Sequence, residues 1–201
     1  MLEVKSFILG PYGTNTYVVS DNEGKVLLID PACTTPYEEH VLYTYITHLP
    51  LMADLKIIAT HGHLDHLWGA KWATEQWNTP VLMHEADIPL AQAMQQQYDL
   101  FGVHRTAETF PMESIQPSVF SFQIIHTPGH TPGSICLYWP EEKILLSGDT
   151  LFQMGYGRTD LPGGNMGQLI DSLEHLFTLP AETLVYPGHG NQTTIGEERR
   201  L

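Results

Sequence analysis

Residues 56–66 read KIIATHGHLDH, and this stretch decides both the fold and the chemistry expected of the chain. Its apolar start predicts a buried strand, and three histidines and one aspartate follow where that strand ends. Because side chains alternate along an extended segment, His61 and His63 point the same way. Asp65 and His66 come next, where a helix from Leu67 begins, so they face a neighbouring point. Imidazole and carboxylate groups at this short spacing are typical ligands of zinc or iron, and two pairs of them indicate places for two metal ions.

The same pattern of strand, glycine and metal-binding side chain occurs three more times. Apolar runs lead into Gly129-His130, Gly148-Asp149 and Gly188-His189. A glycine before each of these side chains lets the backbone approach closely. One such residue alone would be an ordinary loop residue. Four segments with one pattern predict that the strands end at the same edge of a sandwich and that the side chains converge there.

Hydrophobic spacing predicts strands and helices in both halves of the chain. The predicted strands are 4–9, 16–20, 25–29, 56–60, 81–83, 119–125, 135–139, 143–146 and 183–186. The predicted helices are 37–49, 67–77 and a last one that starts at Asn165 as its N-cap and runs to about Phe177. Residues 85–117 read as helical and then irregular, either a lid or an amphipathic core face. Antiparallel-looking strand pairs interrupted by helices predict a sheet sandwich covered by helices.

Composition narrows the class of protein. At 201 residues the chain has the length of one domain, and it has no run of about 18 apolar residues that would predict a membrane span. The N-terminus does not resemble a signal peptide, and two cysteines are too few for a disulfide framework, so we expect a cytoplasmic protein. A net charge of −14 disfavours nucleic acid. We therefore expect a small-molecule substrate, no nucleic-acid or membrane partner, and an oligomeric state that the sequence leaves open.

The seven candidate ligands resemble the metal-binding motifs of the metallo-β-lactamase superfamily, in order and over essentially the whole chain. They are His61, His63, Asp65, His66, His130, Asp149 and His189. The resemblance implies an α/β fold, an αββα sandwich with the metal site at one edge, formed by a single domain of residues 1–201. It also implies two divalent metal ions, zinc first, with iron or manganese as alternatives.

Each ligand position carries over from the family motif. One ion would be bound by His61, His63 and His130, and the other by Asp65, His66 and His189. Asp149 would bridge the two ions, so that Asp65 and Asp149 are the candidate catalytic carboxylates. Asp30, which follows a predicted strand, is a candidate to orient a ligand histidine.

Two further motifs resemble the glyoxalase II branch, that is, hydroxyacylglutathione hydrolases, and particularly its short bacterial members. They are GYGRTD at 155–160 and YPGHG at 186–190. This resemblance implies hydrolysis of a thioester such as S-lactoylglutathione by a hydroxide held between the metals. Tyr156 and Arg158 are the candidate substrate-binding residues. The alternatives are packing for Tyr156, and for Arg158 a structural role in which it pins its loop to Asp160 or to a backbone carbonyl.

The sequence leaves alternative functions open. The motif at 157–160 also resembles the persulfide dioxygenases, which use a single iron, and the substrate of a hydrolase could be another small ester or lactone. A metal-stabilised binding module is disfavoured because structural zinc sites are rich in cysteine.

Only twelve residues follow His189, so we expect no C-terminal helical segment of the kind that holds glutathione in long glyoxalase II proteins. Cys33 and Cys136 are expected to be buried, and His84, His104 and His126 to be structural or at the surface.

Overall fold

Two β-sheets form the centre of the fold in the computed structural model, which describes residues 2–116 and 122–199. The first sheet contains β1 (Glu3–Leu9), β2 (Thr14–Ser20), β3 (Lys25–Ile29), β4 (Asp54–Ile58), β5 (Val81–Met83) and β6 (Met112–Ser114), in that spatial order. Neighbouring strands are antiparallel from β1 to β3 and parallel from β3 to β6.

The second half of the chain forms the other sheet and a small hairpin. Its strands are β7 (Gln123–His126), β8 (Ile135–Trp139), β9 (Ile144–Gly148), β10 (Leu151–Phe152), β11 (Gly155–Tyr156), β12 (Leu184–Pro187) and β13 (Thr193–Thr194). The sheet order is β13-β12-β9-β8-β7, and β10 pairs with β11 in a separate hairpin. Within the sheet, β9 and β12 are parallel and the other neighbours are antiparallel.

The helices are short and cover the outer faces of the sheets. They are α1 (Pro36–Thr47), α2 (Leu64–Leu67), α3 (Ala70–Trp77), α4 (Ile88–Gln92), α5 (Met94–Phe101), α6 (Met166–Leu176) and α7 (Ile195–Glu198), with a 3₁₀ turn at Glu85–Asp87. A capping box between Thr35 and Glu38 starts α1, and Asn165 caps α6 as predicted. Within residues 2–116 and 122–199, no helix has the length and hydrophobicity that a membrane crossing requires.

Three buried apolar layers show how the sheets and helices stack. Leu27 of β3 and Leu137 of β8 point into the layer between the sheets. Leu28, one residue further along β3, points the other way and packs in the layer that contains α1. Leu145 of β9 points to the opposite outer layer, which contains α6. The αββα sandwich expected from the sequence is therefore confirmed.

The structure differs from the expected elements in the pairing of the strands, in one divided helix and in several short elements. Sheet pairing is partly parallel, because α1 and α3 serve as crossovers between parallel neighbours. The helix expected at 67–77 is divided by Gly69, whose N–H donates to the Pro31 carbonyl and whose α-carbon packs against Cys33 Sγ without room for a side chain. The first part of the strand predicted at 119–125 lies outside the described residues, and β7 begins at Gln123. The short elements β6, β10, β11, β13 and α7 were not predicted, since two to four residues carry no periodic pattern.

The strands that lead to the candidate ligands end at one edge of the sandwich. β7, β9 and β12 run in the same direction, so their carboxyl ends meet at the same edge of the second sheet. The carboxyl end of β4 reaches the same place, because the Ile135 N–H of β8 donates to the Thr60 carbonyl at 2.9 Å. A second bond between the sheets joins β2 to the loop after β12, where the Asn15 N–H donates to the Gly188 carbonyl at 2.7 Å. Backbone hydrogen bonds between the two sheets thus fix where the ligand loops meet.

Asn15 is expected to stabilise this junction, which an Asn15→Ala variant tests. The Asn15 Nδ2 donates to the Pro187 and Gly190 carbonyls, at 2.9 and 3.0 Å, and its side chain is buried. Removing the amide leaves two carbonyls without this donor, so we expect the free energy of unfolding to fall by about 1–3 kcal/mol. Urea denaturation of the metal-free protein measures the change. A Ser20→Ala control at the other end of β2 should stay within about 0.5 kcal/mol, and equal effects of the two variants would contradict the role given to Asn15.

Candidate metal centre

Three imidazoles from both sheets converge at the first half of the site. His61 Nε2 lies 3.1 Å from His63 Nδ1, which lies 2.8 Å from His130 Nε2. All three side chains are buried, and their ligand atoms lie within 4.8 Å of one another. His61 and His63 follow β4 while His130 follows β7, so this cluster joins the two sheets. Its three nitrogen ligands match the His₃ set of many catalytic zinc sites.

The second half of the site combines imidazole and carboxylate groups. His189 Nε2 lies 3.1 Å from Asp65 Oδ2, which lies 3.5 Å from His66 Nε2. Asp65 and His66 are on α2, and His189 follows β12. The Thr14 hydroxyl of β2 donates to the same Asp65 Oδ2 at 2.9 Å. The structure thus brings together the residues of the second set named in the sequence analysis.

Asp149 lies between the two clusters. Its Oδ1 is 3.3 Å from His66 Nε2, and its Oδ2 is 3.5 Å from His130 Nε2 and 3.6 Å from His189 Nε2. One carboxylate oxygen therefore faces the second cluster while the other faces both. This position is the one that a bridging ligand between two metal ions requires.

Two observations test whether these residues fit metal ions. Among the described residues, His66 Nε2 and Asp149 Oδ1 are buried without a hydrogen-bond partner, although buried polar atoms rarely lack one. Gly188 lies so close that an added Cβ would be 2.1 Å from Asp149 Oδ1 and 2.8 Å from His66. These two ligand atoms face each other at 3.3 Å without a hydrogen bond, beside a glycine that leaves no room for a side chain. Such an arrangement suits a bound cation, so the residues present fit two divalent metal ions.

Asp30 orients two of the candidate ligands, as the sequence suggested for this residue. Its Oδ2 accepts hydrogen bonds from His66 Nδ1 at 2.9 Å and from the Thr60 hydroxyl at 2.7 Å. The Thr60 oxygen lies 3.1 Å from His61 Nδ1. With both Nδ1 atoms occupied in this way, the Nε2 atoms of His61 and His66 are left to face the site. The Nδ1 of His130 is held similarly by the Arg158 carbonyl at 2.7 Å.

Burial and neighbouring charges set different protonation in the two clusters. Burial lowers the pKa of His63 to about 3, and the charge of His130 acts in the same direction. Burial and the neighbouring His66 hold the pKa of His61 well below its ordinary value. Both rings are therefore neutral at pH 7, which is the form that binds metal.

In the second cluster, neighbouring carboxylates outweigh the effect of burial on the pKa of His66. Burial alone would lower the pKa of His66, but Asp149, Asp65 and Asp30 raise it well above the usual range. Burial opposes ionisation of Asp65 and Asp149, yet the adjacent His66 lowers the pKa of both carboxyl groups. The second cluster is therefore held together by ion pairs in the metal-free protein, and a metal ion must displace protons from it.

Asp87 and Gln97 support the ligand loops and were missed in the sequence analysis. The buried Asp87 accepts hydrogen bonds from Gly62 N–H and Thr131 Oγ1, both at 2.7 Å, and from Gly133 N–H at 2.6 Å. It thereby ties the loop of His61 and His63 to the loop of His130.

Gln97 of α5 holds the first of these loops from the other side. Its Oε1 accepts from Leu64 N–H at 3.0 Å, and its Nε2 donates to the Gly62 carbonyl at 2.9 Å. The part of the 85–117 segment that carries these contacts is therefore clamped to the ligand loop. Asp87 lies four residues after β5, as His130 does after β7, but no glycine precedes it, so the pattern that marked the ligands did not mark Asp87.

An open cavity of about 490 Å³ lies over the site. Its walls combine ligand residues with aromatic and apolar side chains: Tyr12, Leu64, Phe101, Phe152, Tyr156 and Leu161. Tyr156 is exposed and lines this cavity. The Arg158 guanidinium also borders it but forms a two-point ion pair with Asp160, at 2.6 and 2.7 Å. This ion pair with Asp160 is the structural role that the sequence offered for Arg158 as an alternative to substrate binding. Substrate binding by Tyr156 and Arg158 stays a prediction.

The remaining histidines and cysteines lie outside the site. His84 and His126, for which the sequence shows no partner, stack with ring centroids 4.1 Å apart. The His84 Nδ1 accepts the Ala86 N–H at the start of the turn that carries Asp87.

Cys33 and Cys136 are buried, free thiols. Burial raises the pKa of Cys33 to about 12 and that of Cys136 to about 11, so both are protonated at neutral pH.

We expect two divalent metal ions per chain, one for each cluster. A His189→Ala variant removes a ligand of the second cluster only, so it should bind fewer than two ions while the first cluster stays filled. Elemental analysis after dialysis measures the stoichiometry. One ion per parent chain at saturation, unchanged in the variant, would contradict this prediction.

Asp87→Ala should weaken metal binding at the first cluster, because it frees the two loops that position His63 and His130. Loss of an outer contact to metal ligands typically costs about 10- to 100-fold in metal affinity. Competition with a chromophoric chelator measures the dissociation constants. The control is Glu85→Ala, which removes an exposed acid from the same turn. Equal metal affinity in the two variants would show that Asp87 has no part in the site.

Comparison with known proteins agrees with this geometry. Residues 9–189 match the metallo-beta-lactamase superfamily. The chain is 36% identical to YqgX of Bacillus subtilis (strain 168), a probable metallo-hydrolase, over 95% of this chain and 92% of that protein. It is 35% identical to GloC of Haemophilus influenzae, a hydroxyacylglutathione hydrolase, over 92% of this chain and 90% of that protein.

Solved structures show the same fold. TTHA1623 in a di-iron-bound form has a TM-score of 0.87 and 37% identity, with 98% of both chains covered. ETHE1 from Myxococcus xanthus has a TM-score of 0.73 and 29% identity, covering 98% of this chain and 82% of that one. The match over most of the chain, together with the sandwich and the two ligand clusters at its edge, shows that this chain belongs to the metallo-beta-lactamase superfamily.

Proposed function

We propose that the chain is a metal-dependent thioesterase of the hydroxyacylglutathione hydrolase type, acting on a small thioester such as S-lactoylglutathione. The observation that carries this proposal is the position of Asp149, whose two oxygens lie between the His61–His63–His130 cluster and the Asp65–His66–His189 cluster. A carboxylate shared in this way would keep two ions close enough to share a water, whereas a single-ion enzyme does not need the second cluster. The similarity to GloC supports the same reaction class.

Two divalent ions, when bound, lower the pKa of a shared water and polarise a carbonyl, and so supply a nucleophile at neutral pH. Seven side chains would hold them, and three of these are oriented by neighbours: His66 by Asp30, His61 by Thr60 and His130 by the Arg158 carbonyl. The ligand set of histidine nitrogen and carboxylate oxygen suits zinc, and iron or manganese as alternatives. TTHA1623 with two iron ions is one relative in which such a fold holds a metal pair.

Neither cysteine of the chain is suited to act as the nucleophile. Cys33 and Cys136 are buried, and their raised pKa values keep them as neutral thiols. A neutral, buried thiol is a poor nucleophile. Free thiols also suit the reducing cytoplasm that the sequence analysis expects for this protein. The reacting carbonyl would instead sit in the cavity over Asp149 and His130, between the aromatic walls formed by Tyr156 and Phe152.

Replacing the bridging carboxylate tests the mechanism. Asp149→Asn should reduce the turnover of S-lactoylglutathione by several orders of magnitude, because the neutral amide no longer holds two cations together. Cys33→Ala is the matched control, since this residue is buried away from the described cavity walls, and most activity should remain. Thiol release under steady-state conditions measures both. The opposite ranking of the two variants would point to a thiol mechanism and would overturn the proposal.

The second candidate is a persulfide dioxygenase with one iron, which the Gly157–Arg158–Thr159–Asp160 motif also resembles. It would not need the Asp65–His66–His189 cluster. Oxygen uptake with glutathione persulfide, without thioester cleavage, would establish this alternative and exclude the hydrolase.

A further inference from the structure

A second cavity, of about 590 Å³, adjoins the cavity over the metal centre. The two cavities share Tyr12 and Phe101 as walls. Tyr12 lies on the turn between β1 and β2, and its ring contacts that of Trp68 with centroids 5.1 Å apart. Phe101 ends α5 and is followed by the loop that carries Val103 and Arg105. The two cavities therefore meet at these two side chains.

Arg105 supplies the second cavity with an unpaired positive charge. Within residues 2–116 and 122–199, its guanidinium has no hydrogen bond and no carboxylate within 4.0 Å, although the chain carries a net charge of −14. Five other basic side chains do have such a carboxylate: Lys25, Lys56, Lys71, Lys143 and Arg158. An arginine that stays free beside a cavity in an acidic protein is available for an anionic ligand.

The backbone that carries Arg105 is held in place. The Gln95 side chain donates to the Arg105 carbonyl at 3.4 Å and accepts from the Ala107 N–H at 2.9 Å. The Arg105 N–H donates to the Val103 carbonyl at 2.9 Å, and the Val103 N–H donates to the Tyr98 carbonyl at 2.8 Å. The loop is thus tied to α5, which reduces the entropy that a ligand must overcome to use Arg105.

Glu38 is the other charged residue among the described walls of this cavity. Its Oε1 accepts the Gly10 N–H at 2.9 Å, and its Oε2 accepts the N–H groups of Thr34 and Thr35 at 2.8 and 3.0 Å. The two threonine hydroxyls donate to the same oxygen. Because local donors satisfy this carboxylate, Arg105 remains the group that is free to bind a ligand.

We propose that the second cavity binds the thiol half of the thioester, and that Arg105 binds a carboxylate at the end of that half. This inference rests on the proposed function and names the substrate class more closely: thioesters whose leaving thiol carries a carboxylate. It also assigns the specificity to Arg105 rather than to Arg158, whose guanidinium is already paired with Asp160.

Kinetics with a matched substrate pair test the proposal. The substrates are S-lactoylglutathione and its bis-amide, in which both carboxylates are amidated. Arg105→Gln should raise the KM of the parent substrate about 10- to 100-fold, the range expected for one charge-assisted contact, and leave kcat unchanged. It should not affect the bis-amide. The control is Lys5→Gln, which removes an exposed charge that lines neither cavity and should change neither substrate.

Binding of S-methylglutathione, a thioether that cannot be hydrolysed, separates this inference from the proposed function. Calorimetry on the metal-loaded protein should show weaker binding in Arg105→Gln than in Lys5→Gln. If thioesters are cleaved but the two variants behave alike, the Arg105 subsite is overturned while the hydrolase stands. If no thioester is cleaved but Arg105→Gln still weakens thioether binding, the subsite is supported and the thioesterase is not. If the protein neither cleaves thioesters nor binds the thioether, both proposals are overturned.

Discussion

The carboxylate of Asp30 is the contact on which the metal centre depends. It lies at the end of β3, in a left-handed backbone conformation with φ of 51°, and is almost fully buried. Burying a charge is costly unless hydrogen bonds compensate it. Thr60 donates to it twice, through its N–H and its hydroxyl, and His66 Nδ1 makes a third contact, all at 2.7–2.9 Å. The same interactions that stabilise this buried charge also determine where the loop after β4 goes and which nitrogen of His66 faces the site.

Neither sheet carries a complete metal site. The first sheet and α2 supply His61, His63, Asp65 and His66, whereas the second sheet supplies His130, Asp149 and His189. Each cluster takes ligands from both sides, so metal binding and the packing of the two sheets are coupled. Several contacts hold the two sides together at this edge. Backbone bonds, Asn15, the Tyr17 hydroxyl on the Pro187 carbonyl, and Asp87 all join the two ligand-bearing sides.

The segment that follows β5 has a double role. Its buried face holds the ligand loop through Asp87 and Gln97. Further along, Phe101 lines both cavities and Arg105 lines the second one. A shift of this segment would therefore move metal ligands and cavity walls together. The apolar face seen in the sequence of this segment is part of the core, since Met94 and Tyr98 pack in the layer that contains α1.

The division of the ligands into two sets, with Asp149 as the bridge, came from the resemblance to the metallo-β-lactamase superfamily. The sequence by itself was enough to predict the strands that precede the ligands, the sandwich and the seven candidate ligands. Those signals are local, because alternation along a strand and a glycine before a ligand act within a few residues. Tertiary structure alone decided that Asp87 joins two loops from different sheets, and that Arg158 is paired with Asp160 while the Arg105 guanidinium has no such carboxylate partner. Such contacts join residues far apart in the chain, as Thr131 and Asp87 are, and depend on sheet register and on the direction of parallel crossovers. Local spacing carries no information about either, which is why the ligands and Asp30 could be predicted while Asp87 and Gln97, which support the ligand loops, were missed.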